Sequence, residues 1–148
     1  MQQLVYAMQF KGKAEPSTEK PGTIKVRSEA ASASITNLVN SGGLTGGFDP
    51  SARVDASYES DVQMTGDDTF VETGVLTFGA GNTIRFSTYG QGRIGPSPDS
   101  SLRQGSVVWK IEGGKGQMDG AGGLITCNFT ITEDGEVSDH QMGVLYIK

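Results

Sequence analysis

Between two stretches of alternating apolar and polar residues, 106–111 and 124–132, the chain runs Gly113-Gly114-Lys115-Gly116-Gln117-Met118-Asp119-Gly120-Ala121-Gly122-Gly123. Six glycines in these eleven residues argue against a helix interior, where each costs about 1 kcal/mol relative to alanine. Glycine permits positive φ and close approach of backbones, so the run predicts a turn or bulge inside a sheet. The chain on either side is thereby constrained to strands.

Period-two alternation recurs along the remaining sequence, punctuated by turn residues. Leu4, Tyr6, Met8 and Phe10 share one face of a first strand, closed by Pro16 and Pro21-Gly22. Ile24, Val26, Ser28 and Ala30 mark a second, with Lys25, Arg27 and Glu29 opposite. Ala52, Val54, Ala56, Tyr58 and Val62 mark a third, against Arg53, Asp55, Ser57 and Glu59. Residues 69–78 and 83–89 give a fourth and a fifth, joined by Gly79-Ala80-Gly81-Asn82. Residues 104–111, 124–132 and 137–147 supply three more, and Glu133-Asp134-Gly135 predicts a hairpin turn between the last two. Two regions break the rhythm. Residues 30–44, rich in Ala and Ser with Ile35, Leu38 and Val39 at helical spacing, read as a short helix or an irregular crossover. Residues 92–103, with Pro96 and Pro98, read as an extended loop. Eight short strands without a repeat or linker predict one all-β domain over residues 1–148, a sandwich or an up-and-down barrel. Closure removes the exposed edges of so long a sheet.

Composition narrows the partners. A net charge of -5 and the absence of any Lys/Arg cluster argue against nucleic acid. The one cysteine, Cys127, excludes an internal disulfide framework and falls in an alternating strand beside Phe129, as a buried inert thiol would. No basic segment followed by an apolar one opens the chain, and its apolar runs are too short to cross a bilayer as helices, so a cytoplasmic location away from membranes is the expectation.

Residues 68–131 resemble the later half of the allene oxide cyclase and dirigent group of plant barrels. The resemblance rests on Gly113, Gly114, Gly116, Met118, Gly120, Ala121 and Gly123, followed by a strand from Leu124, with Met118 where that group carries an aromatic. Upstream, Asp68-Thr69-Phe70-Val71-Glu72 through Phe78-Gly79 is similar to the strand pair that precedes this motif. Small bacterial barrel proteins with the same glycine turns are nearer still. The resemblance implies a single antiparallel, calycin-like β-barrel of about eight strands. It also implies a homo-oligomer, trimer or dimer, and a cavity for an apolar or aromatic molecule. The residues that carry out cyclisation in the plant enzymes have no matching position here.

Candidate chemistry centres on Glu72, which shares a face with Phe70, Leu76 and Phe78. Desolvation there disfavours the charged form and suits a general acid or base. The plainer alternative is a rim carboxylate, or one paired with Arg85 or Arg27. His140, the single histidine, alternates with Ser138, Met142, Val144 and Tyr146, a pattern that would set it in the barrel mouth. Alone it supports no multi-histidine metal site, and no motif calls for a cofactor. Tyr6, Phe70, Trp109 and Tyr146 are the candidate ligand-lining aromatics. Two functions follow. One is a barrel binding a small apolar molecule, with cofactor-free isomerisation or cyclisation as its reaction class if catalytic. The other is a non-catalytic barrel with a packed core, serving oligomerisation or partner binding. The first predicts an internal cavity of a few hundred Å³, the size of ordinary small-ligand sites.

Overall fold

The computed structural model describes residues 1–50 and 54–148. Among the described residues eleven strands follow in order: β1 (Gln2–Pro16), β2 (Ile24–Ser32), β3 (Ile35–Asn40), β4 (Gly43–Phe48), β5 (Ala56–Met64), β6 (Thr69–Phe78), β7 (Thr83–Thr88), β8 (Gly92–Pro96), β9 (Leu102–Lys115), β10 (Gly122–Thr132) and β11 (Glu136–Ile147). All pairings are antiparallel, and β1, β2, β5, β6, β7, β9, β10 and β11 close into an eight-stranded barrel. β8 continues the line of β7 between β6 and β9. The two pieces make one stave, interrupted at residues 89–91. Among the described residues, no helix is long and apolar enough to cross a membrane.

The glycine run does what its composition predicts. β9 is bulged where Arg85 pairs with Gly113 and Phe86 with Ile111, leaving Glu112 as the extra residue. Gly113 carries a φ of 131°, open to glycine and strained for other residues. A 3-10 turn, Gly116–Met118, then folds Met118 into the end of the barrel, where it is buried. A Cβ on Gly114 would stand 2.4 Å from Thr83 O and 2.5 Å from Met118 O. The turn can close over this end only because no side chain is there.

Inside, large rings lie opposite glycines. Tyr6 pairs with Gly143, Phe70 with Gly92, Phe86 with Gly74 and Phe129 with Gly105. In each pair the ring occupies the space a Cβ would need; at Gly143 and at Gly92 that atom would come within 2.2 Å of the ring. An eight-stranded barrel is just wide enough for side chains to fill it. Removing side chains from alternate wall positions is how this one admits so many rings. At the centre Trp109 stacks on Phe86, with centroids 3.7 Å apart, and meets Tyr58 edge-on at 5.1 Å.

Three expectations change. Residues 30–44 hold neither helix nor irregular crossover: β3 and β4 form a hairpin as a separate two-stranded sheet. The β-branched residues Ile35, Thr36 and Val39, with glycines at the turn, outweigh a helical spacing only three residues deep. Residues 92–96, assigned to a loop, form β8, because the interruption of the stave resets pairing with β6 and β9. The third strand begins at Ala56; its expected positions Ala52 and Arg53 lie outside the described residues. The outer wall of β2 and β5 is salt-bridged, with Lys25 3.4 Å from Asp61 and Arg27 3.4 Å from Glu59.

Gly143→Ala places a methyl inside the Tyr6 ring and is expected to cost about 1–3 kcal/mol, as overpacking a core does. Denaturant unfolding measures it. A stability equal to that of the unaltered protein would mean the ring has room to move away.

Candidate functional site

An apolar cavity of about 100 Å³ occupies one end of the barrel. Its upper wall is made by Ile24, Val62, Met64, Ile94, Phe129 and Ile131, and its inner end by Tyr58, Glu72, Trp109, Cys127 and Asp139. Met64 is 41 % exposed, so the cavity reaches solvent at this end. The other end is closed by Met118 and Ala121. The volume is smaller than the few hundred Å³ expected of a hollow barrel, because the Trp109–Phe86 stack and its neighbours fill the middle.

Glu72 is held there by an irregularity of the sheet. Where the stave breaks after Thr88, the Glu72 N–H donates to Thr88 Oγ1 at 2.7 Å. The same hydroxyl donates back to Glu72 O at 3.1 Å. A side chain thus replaces the missing ladder, a common use of strand irregularities beside functional sites. The Glu72 carboxylate accepts a 2.7 Å hydrogen bond from the Trp109 indole Nε1–H. Burial pushes its pKa up to about 7; the Trp109 hydrogen bond opposes this, and the charge of Asp139 adds to it. Ser60 lies close enough to act on the carboxylate, yet its hydroxyl makes no hydrogen bond of good geometry.

A second polar chain crosses the barrel. Tyr6 Oη donates to Gln141 Oε1 at 3.2 Å, Gln141 Nε2 donates to Asp139 Oδ2 at 3.0 Å, and Tyr58 Oη donates to the same oxygen at 3.0 Å. Asp139 Oδ1 is buried without a partner. Burial pushes the Asp139 carboxyl up to about 6, against the pull of its Gln141 and Tyr58 hydrogen bonds. Burial likewise raises the Tyr6 and Tyr58 phenols and the Cys127 thiol, so these stay neutral at ordinary pH.

The candidate residues therefore separate. Glu72, Phe70 and Trp109 meet at the cavity. Tyr6 points inward but toward the closed half, edge-on to Phe78 at 5.4 Å. His140 and Tyr146 are on the outer wall, a correction to their placement with the ligand. Pairing with β1 sets the face: Phe10, which is buried, lies opposite Asp139, so Asp139, Gln141 and Leu145 point inward and His140 and Tyr146 outward. His140 instead packs its ring on Phe48, centroids 5.6 Å apart, and approaches Gln9 Nε2 at 3.1 Å. Neither expected ion pair to Glu72 forms, since Arg27 pairs with Glu59 and Arg85 reaches the Glu112 carbonyl. Asp139, Tyr58 and Gln141 were not singled out from sequence. The available signal was, for Asp139 and Gln141, their shared parity with the apolar residues Val137, Leu145 and Ile147, and for Tyr58 its place on the apolar face of its own strand.

No protein-family model, no curated protein and no solved structure matches this chain.

A carboxyl whose pKa is higher folded than unfolded stabilises the fold most at low pH. For Glu72 this contribution is complete below about pH 4.5 and is lost as pH rises through about 7. The loss is on the order of 3 kcal/mol at about 1.4 kcal/mol per pKa unit. Thermal unfolding should therefore show a midpoint that declines between pH 4.5 and 7.5, and a shallower decline in Glu72→Gln. Parallel profiles for the two proteins would refute the buried-acid assignment. In Trp109→Phe, which removes the indole donor, the Glu72 pKa should rise further; a carboxyl titration followed by NMR would detect it, and an unmoved value would show the hydrogen bond does not tune the acid.

Proposed function

We propose that the protein binds a small apolar molecule in the open end of its barrel and exchanges a proton with it through Glu72. The observation that carries this reading is an apolar cavity ending on a carboxyl that burial holds at a pKa of about 7. A general acid or base works best when its pKa lies near the operating pH. The apolar wall contributes hydrophobic binding, and the polar inner end orients the ligand. A cavity of about 150 Å³ suffices for benzene in an engineered core, so this one admits a molecule of a few heavy atoms or the end of a longer chain. The compatible reaction class is cofactor-free isomerisation or cyclisation, as in the allene oxide cyclase group. The wall restricts a flexible substrate to a reactive conformation. Glu72 takes a proton from one position and returns it to another.

The modest cavity volume favours the second reading, a packed barrel whose function lies in contacts with other chains. A thermal-shift panel of apolar compounds separates the two, because a ligand of the folded form raises the unfolding midpoint. Binding predicts a rise for at least one compound of that size, retained in Glu72→Gln, with turnover lost in that variant. A panel without a single shift would leave the packed barrel standing.

A further inference from the structure

The hydrogen-bonding balance of the cavity's inner end is uneven. Asp139 is 2 % exposed and its Oδ1 has no partner. The hydroxyls of Ser28 and Ser60, close to Tyr58 and Glu72 respectively, are also buried and unpartnered. The donors that do reach the two carboxyls are all neutral: an indole, a phenol and a carboxamide. Among the described residues, no lysine, arginine or histidine lines the cavity. Lys20, Lys25, Arg27 and Lys110 are engaged on the outside with Asp61, Glu59 and Glu112.

Buried carboxylates are ordinarily compensated by a cation or by a full set of donors. Here Asp139 Oδ1 has no donor, and among the described residues no cation lines the cavity to offset the two carboxyls, so acceptor capacity and charge are both left uncompensated. The group that complements such a surplus carries a charge and several N–H donors, as an ammonium with its three does. We infer that the apolar molecule taken up by this cavity is a small lipophilic primary amine, its ammonium group held by Asp139 Oδ1 and the Glu72 carboxylate and its hydrocarbon part lying toward Ile94 and Phe129. The inference rests on the binding function proposed above and specifies the ligand.

Amine binding requires the carboxyls in their charged form and so releases protons. The titratable groups facing them are Tyr6 on β1, Tyr58 on β5, Cys127 on β10 and each other on β6 and β11, and burial keeps the phenols and the thiol neutral. The carboxyls, raised to about 7 and about 6, therefore set the pH dependence. Affinity for an amine is expected to rise about tenfold from pH 6 to pH 8, following the charged fraction of Glu72.

The test uses the whole protein and n-butylamine, with 1-butanol and n-butyrate as neutral and anionic counterparts, read by calorimetry and thermal shift. The expected result is binding of the amine at least tenfold tighter than the alcohol at pH 8, no detectable butyrate binding, and loss of the amine preference in Asp139→Asn. Equal affinity for amine and alcohol would overturn the amine assignment while leaving an apolar-ligand barrel intact. Absence of binding by all three compounds, and by the wider apolar panel, would overturn both. Retained amine preference in the double variant Glu72→Gln/Asp139→Asn would also overturn it. Should Asp139→Asn fail to fold, Glu72→Gln and the comparison on the unaltered protein decide.

Discussion

The space inside the closed sheet is the constraint from which the rest of this molecule follows. Eight strands leave an interior that side chains alone can fill, yet this chain places a tryptophan against Phe86 and Tyr58, with Phe10 against Tyr58, and further rings toward both ends. They fit because Gly74, Gly92, Gly105 and Gly143 face Phe86, Phe70, Phe129 and Tyr6 across the ladder. Covering a bare backbone with a neighbouring ring both fills the wall and lets the sheet bend there. The cavity is what remains at one end once the rings are seated.

That packing also makes the carboxyls consequential. Glu72 and Asp139 are buried among apolar side chains, so their charged forms are disfavoured, and each is held by neutral donors. The same Trp109 that anchors the aromatic stack donates to Glu72, so packing and electrostatics share one residue. The interruption of the stave after Thr88 contributes too, since Thr88 supplies the hydrogen bonds that fix the Glu72 backbone.

Legibility in the sequence varied from element to element for physical reasons. The inward faces of β1, β2, β5 and β6 were readable because charged or polar residues alternate with apolar ones along them. β11 was not, since Met142, Val144 and Tyr146 on one face are as apolar as Val137, Leu145 and Ile147 on the other. Its orientation comes from pairing with β1, which no local pattern encodes. For that reason Glu72 stood out as a candidate buried acid beside the rim and ion-pair alternatives, whereas Asp139 was overlooked and His140 and Tyr146 were assigned to the wrong side. The β3–β4 hairpin escaped for a related cause: residues 30–48 carry no charge to mark an outer face.

By itself the sequence determined that the chain is all-β, where its barrel strands run, and that a glycine turn joins β9 to β10, because alternation and glycine's conformational range are local properties. Only the tertiary structure decided which residues meet. Tyr58 and Asp139 are 81 residues apart in the chain and Glu72 and Trp109 are 37 apart, and it is closure of the sheet that brings them to one cavity. The raised pKa values of the two carboxyls belong to that closure, since desolvation is a property of the surroundings and not of the residue.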